Sequence, residues 1–339
     1  MMSSVKISAI ETYLPKKVMT NELLQLQFPE LKLRELTRLT GVEKRHIAQK
    51  GETAADMAFA AAQNLYQKHP ELKGETDFII FCSAGGDYIT PASACVLQNR
   101  LGLSQHCGAF DFNQGCTGYL YGLNLAKGLI VSGTARNVLL LTAEAITNTI
   151  HPADKSNRAI FGDGATASMI SAAMGDDTGI GNFVFGTDGS HFEDIIIRNG
   201  RERYPLIEFA EPDFSDNYGN VRNHACFHMN GSAVFQFSVN KAPELVYQVL
   251  DKNSLNFEQV NMFIFHQANR VILETIAKKL KLDPAKNHIY LSETGNTVAS
   301  TIPFAIHNAL EKNLIQKDSL VLLAGFGVGF SWGGTVVRF

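Results

Sequence analysis

Tryptophan is almost absent from this chain: Trp332 is the only one in 339 residues. Long apolar runs are absent too. Stretches such as 138–141 and 321–324 have the length of a buried strand, far short of the roughly 20 residues a membrane-crossing helix needs. The N-terminal twelve residues lack the basic region and apolar core of a secretory signal, so a cytoplasmic location is expected. No charge of one sign prevails. Thirty Lys and Arg face 33 Asp and Glu, a net charge of −3, which excludes a protein held to nucleic acid by a broad basic field. Five cysteines cannot all pair and no Cys-x-x-Cys occurs, so free thiols in a reducing compartment are expected.

What is present is an ordinary globular composition, 45% hydrophobic, at a length suited to about two domains. Short apolar strands alternate with helical stretches. Strands are expected at 5–10, 77–82, 109–112 and 137–141, with helices at 53–67, 91–101 and 116–133. The rhythm returns with strands at 261–265, 288–291, 319–323 and 335–339 and helices at 268–280 and 299–312. Such alternation indicates an α/β fold around buried sheets. Two segments follow one plan, strand, short polar loop and helix: one leads through Asn113 and Gln114 to Cys116, the other through His266 and Gln267. A duplicated architecture is therefore expected, with a boundary near 175–181. The polar, aromatic stretch 199–223 is too long for a simple connection and reads as a lid or surface excursion.

Cys116 stands where an apolar strand gives way to a helix. Exposed backbone N–H groups at a helix start favour a thiolate and can hold an oxyanion. Gly115 and Gly118 leave room for a turn and a substrate. From this segment alone, a buried structural cysteine fits equally. A lone histidine after an apolar strand is more often a satisfied core residue; what distinguishes His266 is its matching place in the second half. Asn296 follows 30 residues later, where helix capping is the simpler role. The loop Gly325-Phe326-Gly327-Val328-Gly329 has neither a Walker lysine nor the strand–helix setting of a dinucleotide site. It suits a backbone that approaches a reacting carbonyl. His224, Cys226 and His228 would share one face of a strand, yet no further metal ligands lie nearby, so a structural role is favoured and no metal is expected.

In one order, Gly115-Cys116-Thr117-Gly118, Phe161-Gly162-Asp163-Gly164-Ala165, His266-Gln267-Ala268-Asn269, Gly295-Asn296-Thr297 and Gly327-Val328-Gly329-Phe330-Ser331-Trp332-Gly333 resemble the 3-oxoacyl-(acyl carrier protein) synthase III family. The resemblance spans nearly the whole chain, from Leu39-Thr40-Gly41-Val42-Glu43-Lys44-Arg45-His46-Ile47 to the terminal Val-Arg-Phe. It implies a thiolase-like fold of duplicated βαβαβ halves in a five-layer αβαβα sandwich. Residues 1–178 would carry the nucleophilic cysteine, and residues 179–339 the histidine and asparagine. It implies Cys116, His266 and Asn296 as the catalytic set, with Phe326, Gly327 and Val328 supporting decarboxylation and the oxyanion. Phe161, Met229, Gly231 and Asn269 would contact substrate. Arg270, Lys278 and Lys279 would form a docking patch for an acidic carrier protein.

The implied reaction is decarboxylative condensation of an acyl thioester primer with malonyl-acyl carrier protein, initiating fatty-acid synthesis. No metal or redox cofactor takes part, and coenzyme A or carrier-protein thioesters are the substrates. A homodimer is implied, without nucleic-acid or membrane partners. The chain also departs from the family. Glu35 and Leu39 stand where the family has a Trp and an Arg that sandwich the adenine of coenzyme A, and Val328 replaces a frequent glycine. A specialised-pathway enzyme using another acyl donor, or a non-catalytic scaffold, are the other readings.

Overall fold

Alternation along each strand decides which helix layer it meets. Ile79 and Phe81 point one way and Ile80 the other; Leu139 and Leu141 likewise oppose Val138 and Leu140. The computed structural model describes residues 4–173, 179–206, 212–217 and 219–339. A first five-stranded sheet has the order Ser4–Tyr13, Gly164–Ala173, Asn137–Glu144, Phe78–Cys82, Gly108–Phe112. Its last three strands are parallel, and Gly164–Ala173 runs antiparallel to both neighbours. A second sheet has Met262–Phe265, Leu320–Gly327 and Ser331–Arg338 side by side, with Gly179–Ile180 and Val184–Thr187 both paired to the last. Again a parallel pair precedes an antiparallel return.

Three apolar clusters fill the spaces. Outside the first sheet, Ala54–Lys68 and Ser93–Arg100 cover Ile79, Phe81, Leu139 and Leu141. Between the sheets lie Gly118–Val131 and Thr301–Glu311, touching Ile80 and Leu140 on one side and Ile264, Val321 and Leu323 on the other. Outside the second sheet, Gly231–Lys252 and Arg270–Leu280 cover Phe263, Phe265, Leu320 and Leu322. The five layers αβαβα and the thiolase-like fold are as expected.

Local chemistry sets the helix starts. Thr53 and Asp56 form a reciprocal capping box for Ala54–Lys68. Ser93–Arg100 begins two residues later than expected, where both oxygens of Asp111 accept the N–H groups of Ser93 and Ala94. One expected element fails: 288–291 is not a strand. Its backbone touches the sheet only at the Phe263–Asn287 bridge and through the His288 N–H on Phe263 O. Gln267 takes over, its Oε1 accepting the N–H of Tyr290 at 2.7 Å, so a side chain replaces the ladder. The expected boundary at 178/179 falls against 174–178, which lie outside the described residues. The expected lid over 199–223 includes 207–211 and 218, which also lie outside them.

Candidate active site

Cys116 does not begin the long helix. It sits in a single 3₁₀ turn, Gly115–Thr117, ahead of Gly118–Val131. Thr117 Oγ1 lies 2.8 Å from Ser331 Oγ, tying this turn to the second sheet. Two glycines permit the approach of the 327–328 backbone. A Cβ on Gly327 (φ +156°) would lie 2.6 Å from the Cys116 sulfur, and one on Gly115 (φ +53°) 2.3 Å from a Val328 methyl. The N–H groups of Val328 and Cys116 face the sulfur. The expectation of an acidified thiol is overturned, because burial pushes the Cys116 thiol up to about 11 despite those donors. Removal from water outweighs the two backbone N–H donors.

His266 follows Met262–Phe265 and is 2% exposed. Burial drives its pKa down to about 3, so the ring is neutral across the physiological range. Its tautomer follows from its neighbour. Thr301 Oγ1 donates to Val298 O at 3.0 Å, so the hydroxyl accepts from Nδ1–H of His266 at 2.7 Å. Nε2 then holds a lone pair. Asn296 is oriented the same way: its Oδ1 accepts the N–H of Val298 at 2.9 Å, leaving Nδ2 as a donor with only a long 3.5 Å contact to Ala268 O. Phe161 and Asn296 share a backbone bridge, which binds the two halves at the site.

Cys116, His266 and Asn296 all line one cavity of about 420 Å³. So do Phe326, Gly327, Val328, Phe161, Met229, Gly231 and Asn269. Phe326 meets the His266 ring edge-on at 5.9 Å. Phe161 meets Phe227 edge-on at 5.0 Å, and with Ile146 and Ile195 they make an apolar wall. Asn269 spends its Oδ1 on the Ile272 N–H, capping Arg270–Leu280, which therefore starts two residues later than expected. Arg270 is half-buried and does not line the cavity; Lys278 and Lys279 are exposed at the helix end, Lys279 donating to Asn240.

Sequence reasoning missed Thr301, Ser238 and Glu144. Ser238 lines the cavity, and its spacing from Gly231 and Val234 places all three on one helix face. Glu144 is buried, and both its oxygens lie within reach of the Ala84 N–H, at 3.0 and 3.2 Å. Burial pushes its pKa up to about 8, and Ala84 lines the cavity. Nothing in the spacing of Thr301 or Glu144 marks them. His224, Cys226 and His228 lie around a separate cavity of about 260 Å³ with Arg198 and Arg222. Among the described residues, no three His, Cys, Asp or Glu side chains are grouped to hold a metal ion.

A thiol under two backbone N–H groups, opposite a neutral imidazole and a carboxamide, set between two stacked sheets, defines a thiolase-fold condensing enzyme. Residues 110–189 match the family model of 3-oxoacyl-[acyl-carrier-protein (ACP)] synthase III, and residues 250–339 match the model of its C-terminal part. The beta-ketoacyl-[acyl-carrier-protein] synthase III 2 of Staphylococcus epidermidis is 33% identical, covering 100% of this chain and 99% of that protein. The beta-ketoacyl-[acyl-carrier-protein] synthase III 1 of Vibrio vulnificus is 34% identical over 98% of this chain and 99% of its own. A crystal structure of a 3-oxoacyl-(acyl-carrier-protein) synthase III superimposes with a TM-score of 0.97 at 40% identity, covering 99% of this chain and 100% of that one. The chain belongs to the 3-oxoacyl-(acyl carrier protein) synthase III family.

Proposed function

We propose that the protein condenses an acyl thioester primer with malonyl-acyl carrier protein, releasing CO₂ and the primer's thiol and giving 3-oxoacyl-acyl carrier protein. The observation that carries this reading is the meeting of Cys116 with His266 and Asn296, from different sheets, on one cavity. Cys116 attacks the primer carbonyl while its proton passes to the Nε2 lone pair of His266 and on to the departing thiol. A thiol near 11 is not ionised beforehand, so attack and proton transfer go together. The oxyanion forms where the Cys116 and Val328 N–H groups converge.

The malonyl thioester then takes the vacated space. Its carbonyl oxygen meets Asn296 Nδ2 and, in the other tautomer, Nε2–H of His266. That tautomer requires the Thr301 hydroxyl to turn away from Val298 O and donate to Nδ1 instead. Loss of CO₂ beside Phe326 replaces a charged carboxylate with a neutral gas in an apolar corner, and the enolate charge rests on the two donors. The enolate carbon attacks the acyl-cysteine, the C–S bond breaks, and the released thiolate takes up a proton from solvent, the one proton that decarboxylation of a malonate carboxylate consumes. The steps use acid–base and hydrogen-bond donor groups alone, so no metal or cofactor enters the scheme.

Residues 1–178 are read as the half that supplies the nucleophile, and 179–339 as the half that supplies the donors. Arg270 follows directly on the cavity-lining Asn269, Lys278 and Lys279 stand in the last turn of the same helix, and together they suit an acidic carrier protein. Tyr88 and Ile89, 62% and 92% exposed just before Ser93–Arg100, suit burial in a homodimer. Five free cysteines suit the cytoplasm. Glu35 and Leu39 are exposed one turn apart on Leu33–Thr40, so they offer no aromatic or guanidinium plane for an adenine. Acetyl-, isobutyryl- and octanoyl-coenzyme A should therefore be assayed with malonyl-acyl carrier protein. Formation of a 3-oxoacyl-acyl carrier protein is expected. Acyl transfer without a new carbon–carbon bond, or no turnover with any primer, overturns the reading.

A further inference from the structure

The turn that carries the Val328 N–H is built from backbone that few residues adopt. Gly329 and Phe330 have φ of +70° and +39°, so a bulky aromatic residue stands in the left-handed region. Such strain persists only where the surroundings enforce it. Phe330 is buried and stacks on Phe237 at 4.3 Å. The carbonyl of Val328 accepts the N–H of Ser331 and, at 3.0 Å, its hydroxyl as well. With that proton committed, the Ser331 oxygen accepts from Thr117 Oγ1 at 2.8 Å, a nearer partner for Thr117 than Gln114 O at 3.3 Å. Both hydroxyl residues are buried, neither lines the cavity, and Thr117 is the residue after Cys116.

The relay from Thr117 through Ser331 to Val328 O therefore joins the two backbone segments whose N–H groups face the Cys116 sulfur. It does so across 214 residues of chain. We propose that Thr117 and Ser331 are positioning residues, whose hydrogen bond holds the Val328 N–H at the spacing from the Cys116 N–H that an oxyanion requires. The oxyanion exists only once the sulfur has attacked, so a displaced donor slows the chemical step and leaves thioester binding alone. This inference rests on the thioester chemistry proposed above and names the groups that hold its oxyanion site together.

Two reactions of Cys116 separate this role from packing alone. Acylation by acetyl- or octanoyl-coenzyme A passes through an oxyanion, whereas alkylation by iodoacetamide displaces iodide from a saturated carbon and forms none. Both are followed by mass spectrometry in the wild type, Thr117→Val, Ser331→Ala, the double variant and Thr117→Ser. Thr117→Val keeps the shape of the side chain and loses the hydroxyl. It and Ser331→Ala should each lower the maximal acylation rate about ten- to hundredfold, with half-saturation little changed and alkylation as in the wild type. Thr117→Ser restores the hydroxyl and should acylate as the wild type does. The double variant should be no slower than the slower single variant, since both break one relay. Unchanged acylation in Thr117→Val and Ser331→Ala, alkylation that changes in step with acylation, no rescue by Thr117→Ser, or losses that multiply in the double variant overturn the assignment. A wild type that iodoacetamide alkylates and neither thioester acylates removes the functional reading itself, and the inference falls with it.

Discussion

At Cys116 the competition is between two backbone donors and the loss of water, and the loss of water wins. The same burial acts with opposite sign on His266, a base, and holds it neutral. Thiol and imidazole therefore rest uncharged, and reactivity waits for a substrate to complete the proton path. The prediction concerns the unliganded enzyme. Alkylation of Cys116 by iodoacetamide, read by peptide mass spectrometry against pH, should keep accelerating above pH 9 toward about 11, where the thiolate forms. A rate already on its plateau at pH 7 would show a preformed thiolate and contradict this picture. The cysteine's place at a strand–turn junction was legible in the sequence. Its protonation was not, because desolvation depends on Gly327 and Val328, which approach from more than 200 residues away.

Elements carry the site as much as residues do. Asn137–Glu144 ends in a buried carboxyl that holds the Ala84 N–H at the end of the neighbouring Phe78–Cys82 strand. With its folded pKa raised from 4.5 to about 8, Glu144 stays protonated in the fold while the unfolded chain ionises it. Its cost to stability is therefore absent below about 4.5 and grows as pH rises toward about 8. Glu144→Gln removes that titration and keeps an acceptor for Ala84. Its Tm relative to the wild type should climb across this window; a constant difference would contradict the assignment. Strand and helix order was legible from alternation and capping residues. The missing strand at 288–291 was not, since its apolar pattern is intact and only the side chain of Gln267, arriving from another turn, displaces the ladder.

Across the whole molecule, two stacked sheets and their helix layers enclose one cavity. The turn after Gly108–Phe112 brings the sulfur, the end of Met262–Phe265 the histidine, the loop before Thr301–Glu311 the carboxamide, and the end of Leu320–Gly327 the 327–328 backbone. Motif order made the grouping of Cys116, His266 and Asn296 legible, because each segment lies in a tight turn with narrow sequence demands. The cavity walls were less so: Ile146, Ile195 and Phe227 are ordinary core residues in sequence and become walls only when two units close on them. The net charge of −3 hides the basic residues on Arg270–Leu280. Arg270→Glu with Lys278→Glu should raise the carrier-protein KM several-fold, flatten its dependence on salt and leave acylation by acetyl-coenzyme A alone. Unchanged carrier kinetics would remove the patch.

The division of labour between the two units is the central claim, and acyl-enzyme turnover tests it most directly. Wild type, Cys116→Ala, His266→Ala and Asn296→Ala are incubated with acetyl-coenzyme A, then with malonyl-acyl carrier protein, and the mass of the peptide bearing residue 116 is followed. One acetyl group should appear on Cys116 of the wild type and be discharged by the malonyl thioester. Asn296→Ala should acquire it and retain it, His266→Ala should acquire it more slowly for want of its base and retain it, and Cys116→Ala should acquire none. An acetyl group on another cysteine, or its discharge without His266 and Asn296, would contradict the account.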